Sequence, residues 1–372
     1  MSAARAAARI DLGAVRHNAS VLARAARGAR LMAVVKADGY GHGAAPVARA
    51  ALEGGASALA VAAAAEAREL RAAGIECPIL VMGPLAGDDW EAAAEAGAEV
   101  VAWTPESVAR AAAAFAARGG RARVHLKLDS GMGRLGARPE GVEALAEAAA
   151  AAHVDVAGVM THFATADERE GDNAAFMAEQ LVRFRAAAAA LRPRFPDAAL
   201  HAANSAAVLR DPATAFDMVR CGIALYGCSP FGGDPAEHGL RPAMSLVSHL
   251  AAVRTVLSRE SVGYGRHWRA SRGTRVGVVP VGYADGYARA LSGRADVLVG
   301  GRRAPVIGAV SMDQISVDLG PGAQDEVGDE VVLLGSQGAE RVSAEELAAA
   351  RGTINYEVTC AIGGRIPRVH QE

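Results

Sequence analysis

The sequence predicts an α/β protein built on a (β/α)8 barrel, also called a TIM barrel, followed by a β-rich C-terminal domain. Short apolar segments alternate with alanine-rich, helix-favouring segments over most of the chain, and eight such apolar segments can be counted. After about residue 239 the pattern changes to closely spaced strand-like segments. The 372 residues suffice for one large and one smaller domain, which we place at residues 1–238 and 239–372.

The predicted barrel strands are short runs rich in Val, Ile, Leu and Ala, as expected for strands buried on both faces. They lie at residues 31–36, 58–61, 79–82, 99–102, 124–128, 156–160, 200–202 and 218–221. The predicted helices between them cover residues 44–52, 63–73, 89–96, 106–117, 142–152, 174–191 and 205–209. An open, doubly wound sheet is the structural alternative that the same alternation allows.

In the second domain, strand-like segments follow one another with few helices between them. They lie at residues 245–255, 274–281, 296–299, 304–310, 314–319, 330–334 and 366–370. Turns rich in glycine and proline, such as residues 320–322, separate them. One helix is predicted at residues 344–350, because Ser343 is a good N-cap and the first turn is acidic.

Composition argues against several classes of partner. The net charge of −2 and the pI of about 6.6 favour neither nucleic acid nor an anionic membrane. The four cysteines are too few and too widely spaced for a metal site or a disulfide framework, which suits a reducing compartment. The first residues lack the apolar run of a signal peptide, and no later segment could span a bilayer, so we expect a cytoplasmic protein.

Lys36 is the first candidate for chemistry. It follows the apolar run 31–35 and precedes a glycine-rich turn, and a desolvated lysine amine there could attack a carbonyl. A lysine that merely snorkels to the surface is the structural alternative. The same turn also fits the dinucleotide pattern G-x-G-x-x-A at residues 39–44, but three residues separate the strand from the first glycine, and no acid ends the next strand. We therefore favour the lysine interpretation.

Polar side chains recur at the carboxyl ends of the predicted strands, where barrel enzymes carry their active sites. They are Lys36, Lys127, Asp129, Arg134, His162, Asn204, Ser205 and Arg220. Each has a structural alternative when taken singly. His162 could be a hydrogen-bonded structural histidine, Ser205 a helix N-cap, and Arg220 the partner of a nearby carboxylate. Their recurrence at strand ends favours a common site.

These groups suit a phosphate-bearing aldehyde cofactor held as a Schiff base on Lys36. Pyridoxal 5′-phosphate fits that description, since its protein partners are a lysine and a group at the pyridine nitrogen. Arg220 is the candidate for the nitrogen. Because arginine cannot accept a proton, it would disfavour a protonated pyridine and weaken the ring as an electron sink.

Several longer motifs extend these strand ends in order along the chain. They are AVVKADGYGHG at 33–43, KLDSGMGRLG at 127–136, MTHFATAD at 160–167, VRCGIALYG at 219–227, GYADG at 282–286, SMDQ at 311–314 and TINYE at 353–357. On these motifs the whole chain resembles the alanine racemase family of fold-type III pyridoxal-phosphate enzymes. The resemblance implies a homodimer in which each active site is shared between subunits.

The resemblance also implies roles for individual residues. Lys36 would be the Schiff-base lysine and one of two catalytic bases, and Tyr264 of the other subunit would be the base on the opposite face. Arg220 would lie at the pyridine nitrogen, and His162 would link Tyr264 to Arg220. The phosphate would be held by Tyr40, Ser205, Gly222, Ile223 and Tyr356. The substrate carboxylate would be handled by Arg134 and Met312, with Lys127 carbamylated in some members to hold Arg134.

The activity implied is interconversion of L-alanine and D-alanine by two-base proton transfer, which would supply D-alanine for peptidoglycan. A racemase of broader specificity acting on serine, a decarboxylase on a related scaffold and a non-catalytic pyridoxal-phosphate-binding protein are alternatives. The non-catalytic proteins lack a domain like residues 239–372, and we see no acidic pocket of the kind the decarboxylases use for long basic side chains. A nicotinamide oxidoreductase is the most distant alternative.

Overall fold

Residues 4–372 are described in the computed structural model. Residues 1–3, where the predicted first domain starts and where part of the signal-peptide expectation falls, lie outside the described residues. The first strand is β1 (Ala6–Asp11). Eight parallel strands, β2 to β9, then form one sheet: Arg30–Val34, Ala56–Val61, Ile79–Val81, Glu99–Ala102, Arg123–Lys127, Asp155–Met160, Ala199–His201 and Met218–Cys221.

The eight strands form a nearly closed barrel. Their order in the sheet runs from β8 back through β2 to β9. A parallel bridge between Asn204 and Arg220 brings the chain just after β8 against β9. The predicted barrel is therefore confirmed, and the open sheet is not formed. The outer helices are Leu12–Ala25, Ala44–Glu53, Ala64–Ala72, Asp89–Glu95, Pro105–Ala116, Val142–Ala151, Gly171–Leu191 and Ser205–Arg210.

The second domain is strand-rich, as predicted. Strands β10 to β20 are Met244–His249, Ala252–Val256, Ser261–Val262, Trp268–Arg269, Thr274–Val279, Asp296–Val299, Arg302–Ile307, Ile315–Gly320, Glu330–Gln337, Glu340–Val342 and Arg368–Gln371. Two helices, Ala344–Arg351 and Asn355–Cys360, complete it. The single strand predicted at 245–255 is divided into β10 and β11, because the chain turns at residues 250 and 251.

Strand β1 places the N-terminal part of the chain in the second sheet, next to the C-terminal strand β20. It pairs antiparallel with β10 and parallel with β20. Its alternate residues Ala6, Ala8 and Ile10 are buried, which explains its place between two neighbours. The domain boundary at 238 and 239 remains a prediction, with this short N-terminal strand lying in the second sheet.

Over residues 4–372, no helix is long and apolar enough to cross a membrane. In the same described part of the chain, no three or more His, Cys, Asp or Glu side chains are grouped so that they could hold a metal ion.

Candidate functional site

A cavity of about 510 Å³ opens at the carboxyl ends of the barrel strands. Its wall contains every residue predicted for the site except Asp129, Tyr264 and Met312. The predicted residues in the wall are Lys36, Tyr40, Lys127, Arg134, His162, Asn204, Ser205, Arg220, Gly222, Ile223 and Tyr356. These residues come from the ends of five barrel strands and from the helix Asn355–Cys360 of the second domain, and they face one space. The two domains build this cavity together.

The sequence pattern predicted that Lys36 is the last residue of a strand, and this prediction is wrong. Strand β2 ends at Val34, and Lys36 opens a turn whose next four residues, 37–40, have φ between 50° and 62°. Such left-handed backbone costs about 1–2 kcal/mol for each residue other than glycine. The turn is held by the Asp38 carboxylate, which accepts from the backbone N–H of Ala44 at 2.8 Å, and by Tyr226, whose hydroxyl donates to the Val34 carbonyl at 2.9 Å. Strained backbone of this kind concentrates at functional sites.

His42 closes this turn as a fully buried imidazole. Its Nδ1 lies 3.0 Å from the carbonyls of both Gly39 and Tyr40, so Nδ1 carries the proton and the ring is neutral. Its Nε2 has no hydrogen-bond partner among residues 4–372. Burial lowers the pKa of His42 to about 4, although the two carbonyls partly oppose that shift. The folded protein therefore resists protonation here.

We expect the free energy of unfolding to fall as the pH is lowered from about 6.5 towards 4, because His42 then binds a proton only in the unfolded chain. The contribution is about 1.4 kcal/mol for each pH unit in that window. His42→Gln keeps a donor for the two carbonyls and removes the titrating group. Urea unfolding across this pH range should therefore give a flatter profile for the variant than for the wild type. Identical slopes would contradict the assignment.

Arg220 forms the floor of the cavity and is 3% exposed. One terminal nitrogen donates to His201 Nδ1 at 3.0 Å and to the His201 carbonyl at 2.9 Å. The other donates to the carbonyls of Thr161 and Ala202 and lies 3.4 Å from His162 Nδ1. Its Nε–H makes no hydrogen bond within the described residues. Burial lowers the pKa of Arg220 to about 10, which still leaves a cation at neutral pH.

Ser205, Gly222 and the phenols Tyr40 and Tyr356 form one end of the cavity. Ser205 Oγ accepts from the backbone N–H of Gly222 at 2.9 Å, so its hydroxyl hydrogen is free to donate elsewhere. A Cβ on Gly222 would lie 2.4 Å from the Tyr40 hydroxyl, which explains the glycine. Burial raises the pKa of Tyr40 and of Tyr356 well above the usual value, so both phenols remain protonated donors. Donors of this kind suit a phosphate.

Asn204, rather than Ser205, is the N-cap of the helix Ser205–Arg210. Asn204 Oδ1 accepts from the backbone N–H of Ala207 at 3.0 Å. The alternative in which Ser205 only caps this helix is therefore wrong, and its hydroxyl instead contacts the start of the turn Ile223–Tyr226.

Lys127 and Arg134 make another wall of the cavity cationic. Lys127 is 6% exposed. Burial, reinforced by the charges of Arg134 and Arg220, lowers its pKa to about 8. Asp129 does not pair with Lys127, because its Oδ1 accepts from the backbone N–H groups of Gly131 and Gly133 at 2.9 and 3.1 Å. This Asx-type loop carries Arg134 to the cavity mouth.

His162 faces the same cations. Burial, together with Arg220, Arg134 and Lys127, lowers the pKa of His162 to about 3, so the ring is neutral. Its Nδ1 faces the Arg220 donor and must therefore accept, which leaves the hydrogen on Nε2.

Tyr264 and Met312 lie on the surface of the second domain, outside this cavity. Their exposures are 73% and 53%. Tyr264 is in the loop between β12 and β13, where Gly263 and Gly265 have φ of 79° and 69° and turn the chain sharply. That hairpin rests on its own small apolar cluster, which includes Val262 and Ile307. Both side chains are therefore free to contact another molecule.

Cys360 is a member of the cavity wall that the sequence reasoning missed. It follows Tyr356 by four residues on the helix Asn355–Cys360, so both project from one helix face. That spacing was the available signal. Apolar wall residues such as Met82, Leu135 and Met160 carried no signal that distinguished them from core residues.

A barrel with an amine, a buried guanidinium and several hydroxyl donors at its carboxyl-terminal mouth has the arrangement of a barrel enzyme's active site. Comparison with known families makes this specific. Residues 10–230 match the family model described as "Alanine racemase, N-terminal domain", and residues 243–370 match "Alanine racemase, C-terminal domain". The chain belongs to the alanine racemase family and is an isomerase.

Individual alanine racemases match this chain over nearly its full length. An alanine racemase from Symbiobacterium thermophilum is 45% identical over 370 residues, which cover 98% of this chain and 96% of that protein. The crystal structure of alanine racemase from Streptomyces lavendulae superposes with a TM-score of 0.95 at 44% identity, covering 100% of this chain and 98% of that one. The structure from Bacillus anthracis, described with bound L-Ala-P, gives 0.91 at 36% identity, covering 100% and 96%.

Proposed function

We propose that this chain interconverts L-alanine and D-alanine with pyridoxal 5′-phosphate as its cofactor, acting as a homodimer with shared active sites. The observation that carries the proposal is the single cavity lined by Lys36, Arg220 and a set of phenol and serine donors. The Bacillus anthracis relative with bound L-Ala-P supports a site for an alanine-like amine. We further propose that the protein works in the cytoplasm and supplies D-alanine for peptidoglycan.

The residues present fit pyridoxal phosphate. Tyr40, Ser205 and Tyr356 would hold the phosphate with the backbone of Gly222 and Ile223, and Asn204 lies beside them. Lys36 offers the amine for covalent attachment, and Arg220 offers one unused donor for the pyridine nitrogen. When bound, the cofactor would supply an aldehyde for the amines and a conjugated ring that takes up the electron pair left when Cα loses its proton.

Two bases on opposite faces of Cα would then perform the inversion. Lys36 Nζ would remove or return the proton on one face, and Tyr264 Oη of the partner subunit would do so on the other. Because Arg220 has donors and no acceptor, it would donate to the ring nitrogen and keep a proton off it, which would favour prompt return of the proton to Cα. His162, within 3.4 Å of Arg220 through Nδ1, would present its Nε2 to Tyr264.

The cationic wall would bind the substrate carboxylate. Arg134 forms no ion pair with any carboxylate in the described part of the chain, and its guanidinium suits bidentate contact. Met312 would contribute from the partner subunit. The lowered pKa of Lys127, about 8, leaves a larger fraction of neutral amine than in an ordinary lysine. A neutral amine is the form that carbon dioxide carbamylates, and a carbamate here would be an anion able to hold Arg134.

A chirality assay of the purified protein tests this function. Each L-amino acid, and D-alanine, is incubated with and without added pyridoxal phosphate. We expect alanine to approach the racemic mixture from either enantiomer and Lys36→Ala to be inactive. Faster turnover of serine would favour the broader racemase. Cofactor binding without turnover would favour a non-catalytic binding protein, and carbon dioxide release would favour a decarboxylase.

Gly222→Ala is expected to weaken binding of pyridoxal phosphate by roughly tenfold or more, since overpacking costs about 1–3 kcal/mol. The added methyl would displace the Tyr40 hydroxyl from the proposed phosphate site. Absorbance titration of cofactor-free protein measures the change. Gly273→Ala is the matched control, because a Cβ there has no atom within 4 Å and the backbone needs no positive φ. Equal affinities for the two variants would contradict this phosphate site.

A further inference from the structure

A chain of polar side chains crosses the barrel interior beneath the cavity floor. Glu99, His125, His201 and Arg220 come from strands β5, β6, β8 and β9, and none is more than 7% exposed. Glu99 Oε2 lies 2.7 Å from His125 Nε2, His125 Nδ1 lies 2.8 Å from His201 Nε2, and Arg220 lies 3.0 Å from His201 Nδ1. Barrel interiors are usually filled by branched apolar residues, so this continuous polar chain requires an explanation.

The direction of every hydrogen bond in the chain follows from Arg220. A guanidinium can only donate, so His201 Nδ1 must accept and the His201 hydrogen must be on Nε2. That hydrogen points at His125 Nδ1, which accepts in turn and leaves the His125 hydrogen on Nε2. His125 then donates to the Glu99 carboxylate. Both histidines are therefore neutral, and the polarity of all three bonds is fixed.

Gly158 on β7 (Asp155–Met160) provides the space for these hydrogen-bonded side chains. A Cβ at Gly158 would lie 2.4 Å from His125 Nδ1 and 2.9 Å from His201 Nε2. The backbone at this position is not left-handed, so the glycine serves packing alone. Even one methyl group would separate the two imidazoles.

Glu99 is the anion that the two histidines connect to Arg220 by hydrogen bonds. The direct partners of the Arg220 guanidinium are carbonyls and imidazoles, and no carboxylate pairs with it within residues 4–372. Glu99 also accepts from Arg123 at 2.8 Å, at the amino-terminal end of the barrel. Burial alone would raise the pKa of Glu99, but the hydrogen bonds from His125 and Arg123 and the charge of Arg123 lower it, so the group is a carboxylate.

We propose that Glu99, His125 and His201 are positioning residues for Arg220. Their hydrogen bonds fix the orientation of its guanidinium, so that its Nε–H faces the cavity. The two neutral imidazoles connect the negative charge of Glu99 to the positive charge of Arg220 and so balance it. Hydrogen bonds in such a buried chain polarise one another, which ties the donor strength at the cavity floor to an anion at the other end of the barrel. The link to the pyridine nitrogen rests on the proposed function, whereas the proton order does not.

Nitrogen NMR of the wild-type protein with 15N-labelled histidine tests the proton order. Signals of His125 and His201, assigned with His125→Asn and His201→Asn, should both show a neutral ring with the hydrogen on Nε2. A hydrogen on Nδ1, or a doubly protonated ring, at either position would overturn the inference. This result does not depend on whether the protein binds pyridoxal phosphate or racemises alanine.

The absorption spectrum and affinity of bound pyridoxal phosphate test the connection to the cavity. Glu99→Gln keeps an acceptor oxygen and removes the charge, and His201→Asn breaks the chain. Both should move the absorption maximum, and His201→Asn should weaken cofactor binding by about tenfold or more, the effect of losing a hydrogen bond to a charged group. Glu91→Gln, on the exposed side of the helix Asp89–Glu95, is the matched control.

Unchanged spectra and affinities in folded Glu99→Gln and His201→Asn would overturn the positioning role. Gly158→Ala provides a second route if either variant fails to fold, because it separates the histidines and removes no titratable group. Its spectrum should move in the same direction as that of His201→Asn, and a wild-type spectrum would count against the proposal. A wild-type protein that bound no pyridoxal phosphate would instead refute the proposed function.

Discussion

A heterodimer of one Lys36→Ala chain and one Tyr264→Phe chain is expected to show about half of the wild-type activity, although each variant alone is nearly inactive. Lys36 lines the cavity, whereas Tyr264 is 73% exposed and lies outside it. If Tyr264 reaches the cavity of the partner subunit, the heterodimer contains one intact site and one site lacking both groups. If both bases came from one chain, the heterodimer would contain no intact site.

Co-expression with two different affinity tags isolates the heterodimer for this measurement. Lys36→Ala alone should lose roughly 10⁴-fold or more, because it removes both the attachment point and a base. The control pairs Lys36→Ala with a chain carrying both substitutions, and it should stay inactive. Failure of the tandem-purified heterodimer to recover activity would contradict the shared site.

The barrel was predictable because strands buried on both faces of a parallel sheet form continuous apolar runs. Two barrel strands, Glu99–Ala102 and Met218–Cys221, were predicted with the bounds that the structure has. Strand β1 was missed because its sequence, AAARID, contains no such run, and its pairing depends on residues more than 230 positions away. The left-handed turn after Val35 could not be read from Ala37 and Asp38, since local preference disfavours that conformation.

Much of the candidate site was predictable from strand ends alone, because Lys36, His162, Asn204 and Arg220 all follow or end short apolar runs. Tyr40 and Tyr356 needed the family resemblance, since Tyr40 lies inside the left-handed turn and no local pattern brings Tyr356 from the second domain to the barrel mouth. The buried histidine chain was missed for another reason. His125 and Lys127 alternate in an apolar strand and so share a face, but which residues of other strands meet them depends on the barrel register.

Tyr264→Phe is expected to separate the two faces of the proposed reaction. Steady-state kcat/KM must fall equally in both directions, because the two enantiomers have equal free energies. Exchange of the α-hydrogen with solvent reports each face on its own. In deuterium oxide the variant should still exchange the α-hydrogen of D-alanine through Lys36, whereas exchange from L-alanine should fall by about 10²–10⁴-fold, the usual contribution of a general base.

The measurement follows deuterium incorporation by NMR under single-turnover conditions, with the absorption of the bound cofactor confirming that the site is loaded. Tyr287→Phe is the matched control, because Tyr287 is 2% exposed and its hydroxyl has no hydrogen-bond partner within the described chain. That variant should exchange both enantiomers at wild-type rates. Equal loss of exchange from L-alanine and D-alanine in Tyr264→Phe would count against Tyr264 as the base for one face, because removing a base on one side of Cα leaves the other side able to exchange its own hydrogen.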